Sequence, residues 1–130
     1  MNTQKKVLIV DDDMDFLIQL ETQLRAAGFA VISADSRHKA EELLQSVRPD
    51  LVVLDLMMEQ NDAGFALAYH IKKIDSAIPV ILVTAVASET RIDFDAATDE
   101  ERSWIKADAF LAKPIRFEQL MREINRLIPE

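Results

Sequence analysis

Leu51-Val52-Val53-Leu54-Asp55 is an unbroken apolar run closed by a carboxylate, and its reading decides the fold. A strand with one wet face alternates apolar and polar residues, whereas a run without polar interruption reads as a strand covered on both faces, as in a parallel sheet. Val7-Leu8-Ile9-Val10 and Val80-Ile81-Leu82-Val83 repeat the pattern. Ala30-Val31-Ile32-Ser33-Ala34 and Ala109-Phe110-Leu111-Ala112 are weaker runs that suit positions nearer the sheet edges.

Helical periods lie between these runs. Apolar residues fall at Phe16, Leu17, Leu20 and Leu24, at Ala40, Leu43, Leu44 and Val47, and at Leu67, Ala68, Ile71 and Ile74. A last set falls at Phe117, Leu120, Met121, Ile124, Leu127 and Ile128. Each traces the stripe that buries one face of a helix. Gly28 stands where a left-handed C-cap belongs, and Pro49 and Pro79 precede strands, where they interrupt no ladder. Thr98-Asp99-Glu100-Glu101 has the form of a capping box, which predicts a short helix near 99–106 after a loop over 87–97. Five strands then alternate with five helices, and right-handed crossovers wind them into one α/β domain over residues 1–130, with helices on both faces of a parallel sheet.

Composition excludes several classes. The chain has 130 residues, 49% hydrophobic and 29% charged, the chemistry of an ordinary globular domain. Fifteen Lys and Arg against 23 Asp and Glu leave a net charge of −8, the wrong sign for direct contact with nucleic acid. With no cysteine there is no disulfide scaffold, thiolate metal site or Cys nucleophile. The apolar runs are far too short to span a membrane, and the opening residues do not read as a signal peptide, so a cytoplasmic domain is expected.

In doubly wound sheets ligands gather at the carboxyl ends of the strands. Here those ends carry Asp11-Asp12-Asp13, Asp55, Thr84 and Lys113-Pro114. Clustered carboxylates without His or Cys suit a hard cation such as Mg²⁺. An Asp can attack phosphorus to give an acyl phosphate, and such a transfer needs an ammonium and a hydroxyl around the equatorial oxygens. Lys113 and Thr84 are those residue types at those strand ends.

From Lys6 to Leu127 the chain resembles the receiver domains of two-component response regulators. Val7 to Asp13 resembles the family's first strand and acidic pair, and Leu51 to Met58 its phosphoacceptor strand. Thr84-Ala85 resembles its switch hydroxyl, and Phe110-Leu111-Ala112-Lys113-Pro114 its last strand and lysine. The resemblance implies the flavodoxin-like (βα)5 fold with strand order 2-1-3-4-5. It implies that Asp55 takes a phosphoryl group from the phosphohistidine of a histidine kinase or phosphotransfer protein. Asp11 and Asp12 would hold Mg²⁺ beside Asp55, with Asp12 preferred as the direct ligand and Met57 lending its backbone carbonyl. Lys113 would pair with the phosphoryl oxygens and Thr84 would bond one of them. Phe110 would reorient as Thr84 moves, and Lys113-Pro114 would be a cis peptide. The domain would catalyse its own phosphorylation and slow dephosphorylation, with no dedicated small-molecule activity, and would signal to a downstream protein as a monomer or a phosphorylation-dependent dimer.

Two stretches depart from the family's pattern. Glu59-Gln60-Asn61-Asp62-Ala63 precedes Gly64, one residue longer than usual and without the Pro. The span from Thr84 to Lys113 is also long, and its Asp93, Asp95, Asp99, Glu100, Glu101 and Trp104 would alter the face through which receivers signal. Trp104 is read equally as a partner anchor or as a pin for the extra loop. Asp13 is read as the cap of the first helix, Met58 as packing, and His38 and His70 as remote from the rim. Two rival functions remain: a receiver-shaped interaction module that accepts no phosphate, and a haloacid-dehalogenase-type phosphohydrolase with Asp11 as nucleophile. Calcium binding by Asp11, Asp13 and Asp15 fails, because Phe16 and Thr22 stand where the loop needs Gly and Glu.

Overall fold

In the computed structural model, residues 4–55, 63–84 and 107–129 are described, with Ala63, Gly64, Phe65 and Thr84 described by their backbone alone. In chain order they form β1 (Lys6–Val10), α1 (Met14–Ala26), β2 (Ala30–Ala34), α2 (Arg37–Leu44), β3 (Leu51–Asp55) and α3 (Ala63–Ile74). β4 (Val80–Thr84), β5 (Ala109–Ala112) and α4 (Phe117–Leu127) follow. The strands make one five-stranded parallel sheet in the order β2-β1-β3-β4-β5. The helix expected near 99–106 lies outside the described residues.

Alternation along each strand builds two cores. Val7, Ile9, Leu51, Val53, Ile81, Val83 and Leu111 face Leu17, Leu20 and Leu24 of α1 and Leu120 and Ile124 of α4. Leu8, Val10, Val52, Leu54, Val80 and Leu82 face Ala40 and Leu44 of α2 and Leu67, Ala68 and Ile71 of α3. Every residue of β3 is buried, which is why its sequence shows no polar alternation. α2 stops at Leu44 rather than continuing to Val47, and Ile74 is half-exposed.

Gly28 takes φ +100° just past α1. The Phe29 N–H bonds the Leu24 carbonyl at 3.1 Å and the Gly28 N–H bonds that of Arg25 at 3.0 Å, a Schellman closure that turns the chain into β2. At the other end of α1, the Asp13 side chain accepts from the Asp15 and Phe16 N–H groups.

The edge strand β5 has only four residues and is pinned at its start. The Asp108 N–H donates to the Val80 carbonyl at 2.7 Å, and the Asp108 carboxylate accepts from the Val80 N–H at 2.8 Å. The Lys72 ammonium donates to that same carboxylate oxygen at 2.8 Å and to the Ile78 carbonyl at 2.7 Å. Arg126 of α4 donates to the Asp108 carbonyl at 3.2 Å. These bonds fix the β4–β5 register, in which Thr84 stands opposite Ala112, and so determine where Lys113 leaves the sheet.

Candidate functional site: an acidic rim with a lysine

The carboxyl ends of β1, β3 and β5 meet at one rim. The Asp11 N–H bonds the Ala34 carbonyl at 3.2 Å, extending the β1–β2 ladder one residue past β1. Asp11 is therefore fixed by the sheet itself. Asp55, the last residue of β3, lies opposite Val83 in the neighbouring strand. Asp11 is 1% exposed and Asp55 5%, whereas Asp12 is exposed. One carboxylate oxygen from each of Asp11, Asp12 and Asp55 lies within 4.8 Å of the others.

The consecutive aspartates divide three tasks. One Asp11 oxygen accepts from the Asp13 N–H at 2.9 Å, which turns the chain out of the strand. The other accepts from the Lys113 ammonium at 2.8 Å. Asp12 presents its carboxylate to solvent at the mouth of the cluster. Asp13 is committed to α1 through bonds of 3.1 and 3.3 Å to the Asp15 and Phe16 N–H groups, and it stands apart from the cluster.

Lys113 reaches the rim from the end of β5, 3.9 Å from the nearer Asp55 oxygen. Its side chain is 21% exposed, and its ammonium also rests on the Phe16 ring, 4.4 Å from the centroid. The Lys113–Pro114 bond is cis. Three carboxylates against this ammonium leave two negative charges when all are ionised. That imbalance, with all-oxygen donors and one exposed carboxylate as an entrance, suits a hard divalent cation.

Phe110 is half-buried and packs on the core beneath α2 and α3. The side chain of Thr84, Met57 with its carbonyl, the loop after Met58, and Trp104 with its acidic neighbours all lie outside the described part. His38 sits on α2, almost fully exposed, where it pairs with Glu42 at 2.8 Å. Phe16 was legible only as one apolar residue of a helical stripe. Its place in the first turn of α1, next to the acidic triplet, was the available signal.

A parallel sheet of order 2-1-3-4-5 with an acid cluster and a lysine at its carboxyl rim defines a flavodoxin-like α/β domain. The chain belongs to the response regulator receiver domain family, which it matches over residues 7–125. It is 34% identical over 128 residues to the protein named "Probable transcriptional regulator ycf27" of Guillardia theta, covering 98% of this chain and 47% of that protein. It is 33% identical to the transcriptional regulatory protein PrrA of Mycobacterium tuberculosis, over 97% of this chain and 51% of that one. The chain thus spans about half the length of these curated relatives.

Among solved structures, the response regulator TrrA of Thermotoga maritima, in complex with Mg²⁺-BeF, superposes with a TM-score of 0.79 at 29% identity. That match covers 96% of this chain and 100% of TrrA. The chemotaxis response regulator CheY4 of Vibrio cholerae shares the fold, with a TM-score of 0.80 at 24% identity over 97% and 100% of the two chains. No described helix is long and apolar enough to cross a membrane.

Proposed function

We propose that this receiver domain, read as one unit over residues 1–130, is a phosphoacceptor: Asp55 takes a phosphoryl group from the phosphohistidine of a histidine kinase or a phosphotransfer protein. The observation that carries this reading is the convergence of Asp11, Asp12, Asp55 and Lys113 on one strand-end rim. In the transfer, an Asp55 carboxylate oxygen forms a bond to phosphorus as the phosphorus–nitrogen bond breaks, and the imidazole leaves with the electron pair. Lys113, already 3.9 Å from Asp55, neutralises charge on the phosphoryl oxygens. Thr84 supplies a hydroxyl donor from the end of β4 and Phe110 moves with it. Mg²⁺ fits the donor set and, when bound by Asp11, Asp12 and Asp55 with the Met57 carbonyl, would screen the oxygens of the incoming group.

The net charge of −8 supports signalling through protein contact rather than direct nucleic-acid binding, in the cytoplasm and as a monomer or phosphorylation-dependent dimer. A haloacid-dehalogenase-type reading would make Asp11 the nucleophile and leave Asp55 at the same rim without a role. Treatment with acetyl phosphate and Mg²⁺, reduction with borohydride and peptide mapping test the assignment. The acyl phosphate is reduced to homoserine at the residue that carried it. Homoserine at position 55 supports the reading; homoserine at position 11, or at neither, refutes it.

A further inference from the structure

Phe16 belongs to none of the motifs that mark the phosphoacceptor site, yet the Lys113 ammonium lies 4.4 Å from its ring centroid. The same nitrogen is 2.8 Å from Asp11 and 3.9 Å from Asp55. Carboxylates at the ends of β1 and β3 attract the charge. The ring, on α1, supplies a third contact. A lysine stem is flexible and has much rotamer entropy to lose, so two carboxylates alone do not define one position for the nitrogen.

Beside the ring lies an open cavity of about 380 Å³, lined by Gln19, Leu20, Gln23, Pro114 and Phe117 as well as by Phe16 and Lys113. The glutamine amides at its wall carry carbonyl oxygens, good acceptors for an ammonium. Phe16 is itself held by its N–H bond to the Asp13 cap and by packing on the core under α1 and α4.

We propose that Phe16 is a positioning residue, its ring holding the Lys113 ammonium at the acidic rim. The role rests on the phosphoacceptor reading, because it acts through Lys113. Phe16→Leu keeps an apolar side chain and removes the ring. Phosphoryl uptake from acetyl phosphate at saturating Mg²⁺ should slow by roughly three- to tenfold, the range of a partly desolvated cation–π contact. Mg²⁺ affinity should be unchanged or tighter, because a loosened Lys113 competes less for Asp11. Phe16→Trp and Phe16→Tyr, which keep a ring face, should restore the rate to within about twofold. In a Lys113→Met background, Phe16→Leu should change nothing further.

The contact has its own signature in the native chain: the Lys113 ε-protons should resonate upfield through the ring current and lose that shift in Phe16→Leu. Unshifted ε-protons, uptake by Phe16→Leu as fast as the native rate, or equal slowing in the Lys113→Met background each overturn the proposal while leaving Asp55 as acceptor. A native chain that takes up no phosphoryl group overturns the phosphoacceptor reading and this role together.

Discussion

Lys113→Ala strips an ammonium from two carboxylates that are 1% and 5% exposed, and the consequence can be worked out with and without metal. Truncating one partner of a buried ion pair costs about 3–5 kcal/mol, because the other charge stays buried and uncompensated. Here the lysine side chain is 21% exposed and Asp12 sits in solvent at the mouth, so water reaches part of the pair and the cost falls below that range, to about 2–3 kcal/mol. For a domain of this size that corresponds to a fall in Tm of roughly 6–12 °C in EDTA.

Mg²⁺ should reverse most of the loss. A ligand present at about a hundred times its Kd stabilises the native state by about 2.7 kcal/mol, and the rim without Lys113 offers a divalent ion a site with no competing ammonium. Urea unfolding followed by far-UV circular dichroism, in EDTA and in Mg²⁺, measures both effects. The variant should be much weaker than the native chain in EDTA and close to it in Mg²⁺, which requires the ion to bind the variant roughly 30- to 100-fold more tightly, because the native chain is stabilised by Mg²⁺ too. Native-like stability in EDTA, or a deficit that Mg²⁺ leaves untouched, would refute the view that Lys113 serves as the resting counter-charge of the cluster.

Three other perturbations probe the scaffold. Gly28→Ala meets nothing within 4 Å but inherits φ +100°, so the cost should be purely conformational, about 1–2 kcal/mol by urea unfolding; an unchanged midpoint would count against the left-handed cap. Asp108→Ala leaves the Val80 N–H and the Lys72 ammonium without their shared acceptor, for a loss of about 2–3 kcal/mol, and faster hydrogen exchange should appear first in β5; uniform exchange across the sheet would contradict its role as the anchor of that strand. The Asp75 carboxyl is held below its ordinary value of 3.8, first by the Ala77 N–H and then by Arg48. A depressed folded pKa means stability that is present above 3.8 and lost as pH falls through the lower folded value. Asp75→Asn should therefore flatten the acid side of the unfolding midpoint against pH below that point, and parallel native and variant curves would contradict the assignment.

Much of this architecture was legible in the residues. Val7–Val10, Leu51–Leu54 and Val80–Val83 lack polar interruption because both faces of the central strands are covered, and that lack also marks their ends. Asp11 and Asp55 are conspicuous as the first charges after apolar runs, and Gly28 announced its conformation by being one of only two glycines in the chain. The contacts that finish the site were not legible, for a physical reason. Periodicity assigns a side chain to a face of its element, but the partner it meets there depends on how elements pack. Phe16 meets Lys113 across 97 positions of chain, from α1 to the end of β5. Lys72 and Asp108, 36 residues apart, meet at the start of β4. Neither has a local sequence signature. Asp13 shows the converse: its capping bonds run to its own next residues, and local spacing sufficed to read them.

The central claim concerns a single bond, between Asp55 and a phosphoryl group, and intact-mass spectrometry reads it most directly. The native chain, Asp55→Asn, and the native chain with EDTA would each be incubated with acetyl phosphate, Mg²⁺ being supplied to the first two. A labile gain of one phosphoryl mass in the native chain, absent from the variant and from the EDTA sample, is the result expected. A gain that survives Asp55→Asn, or no gain in the native chain, would contradict the account.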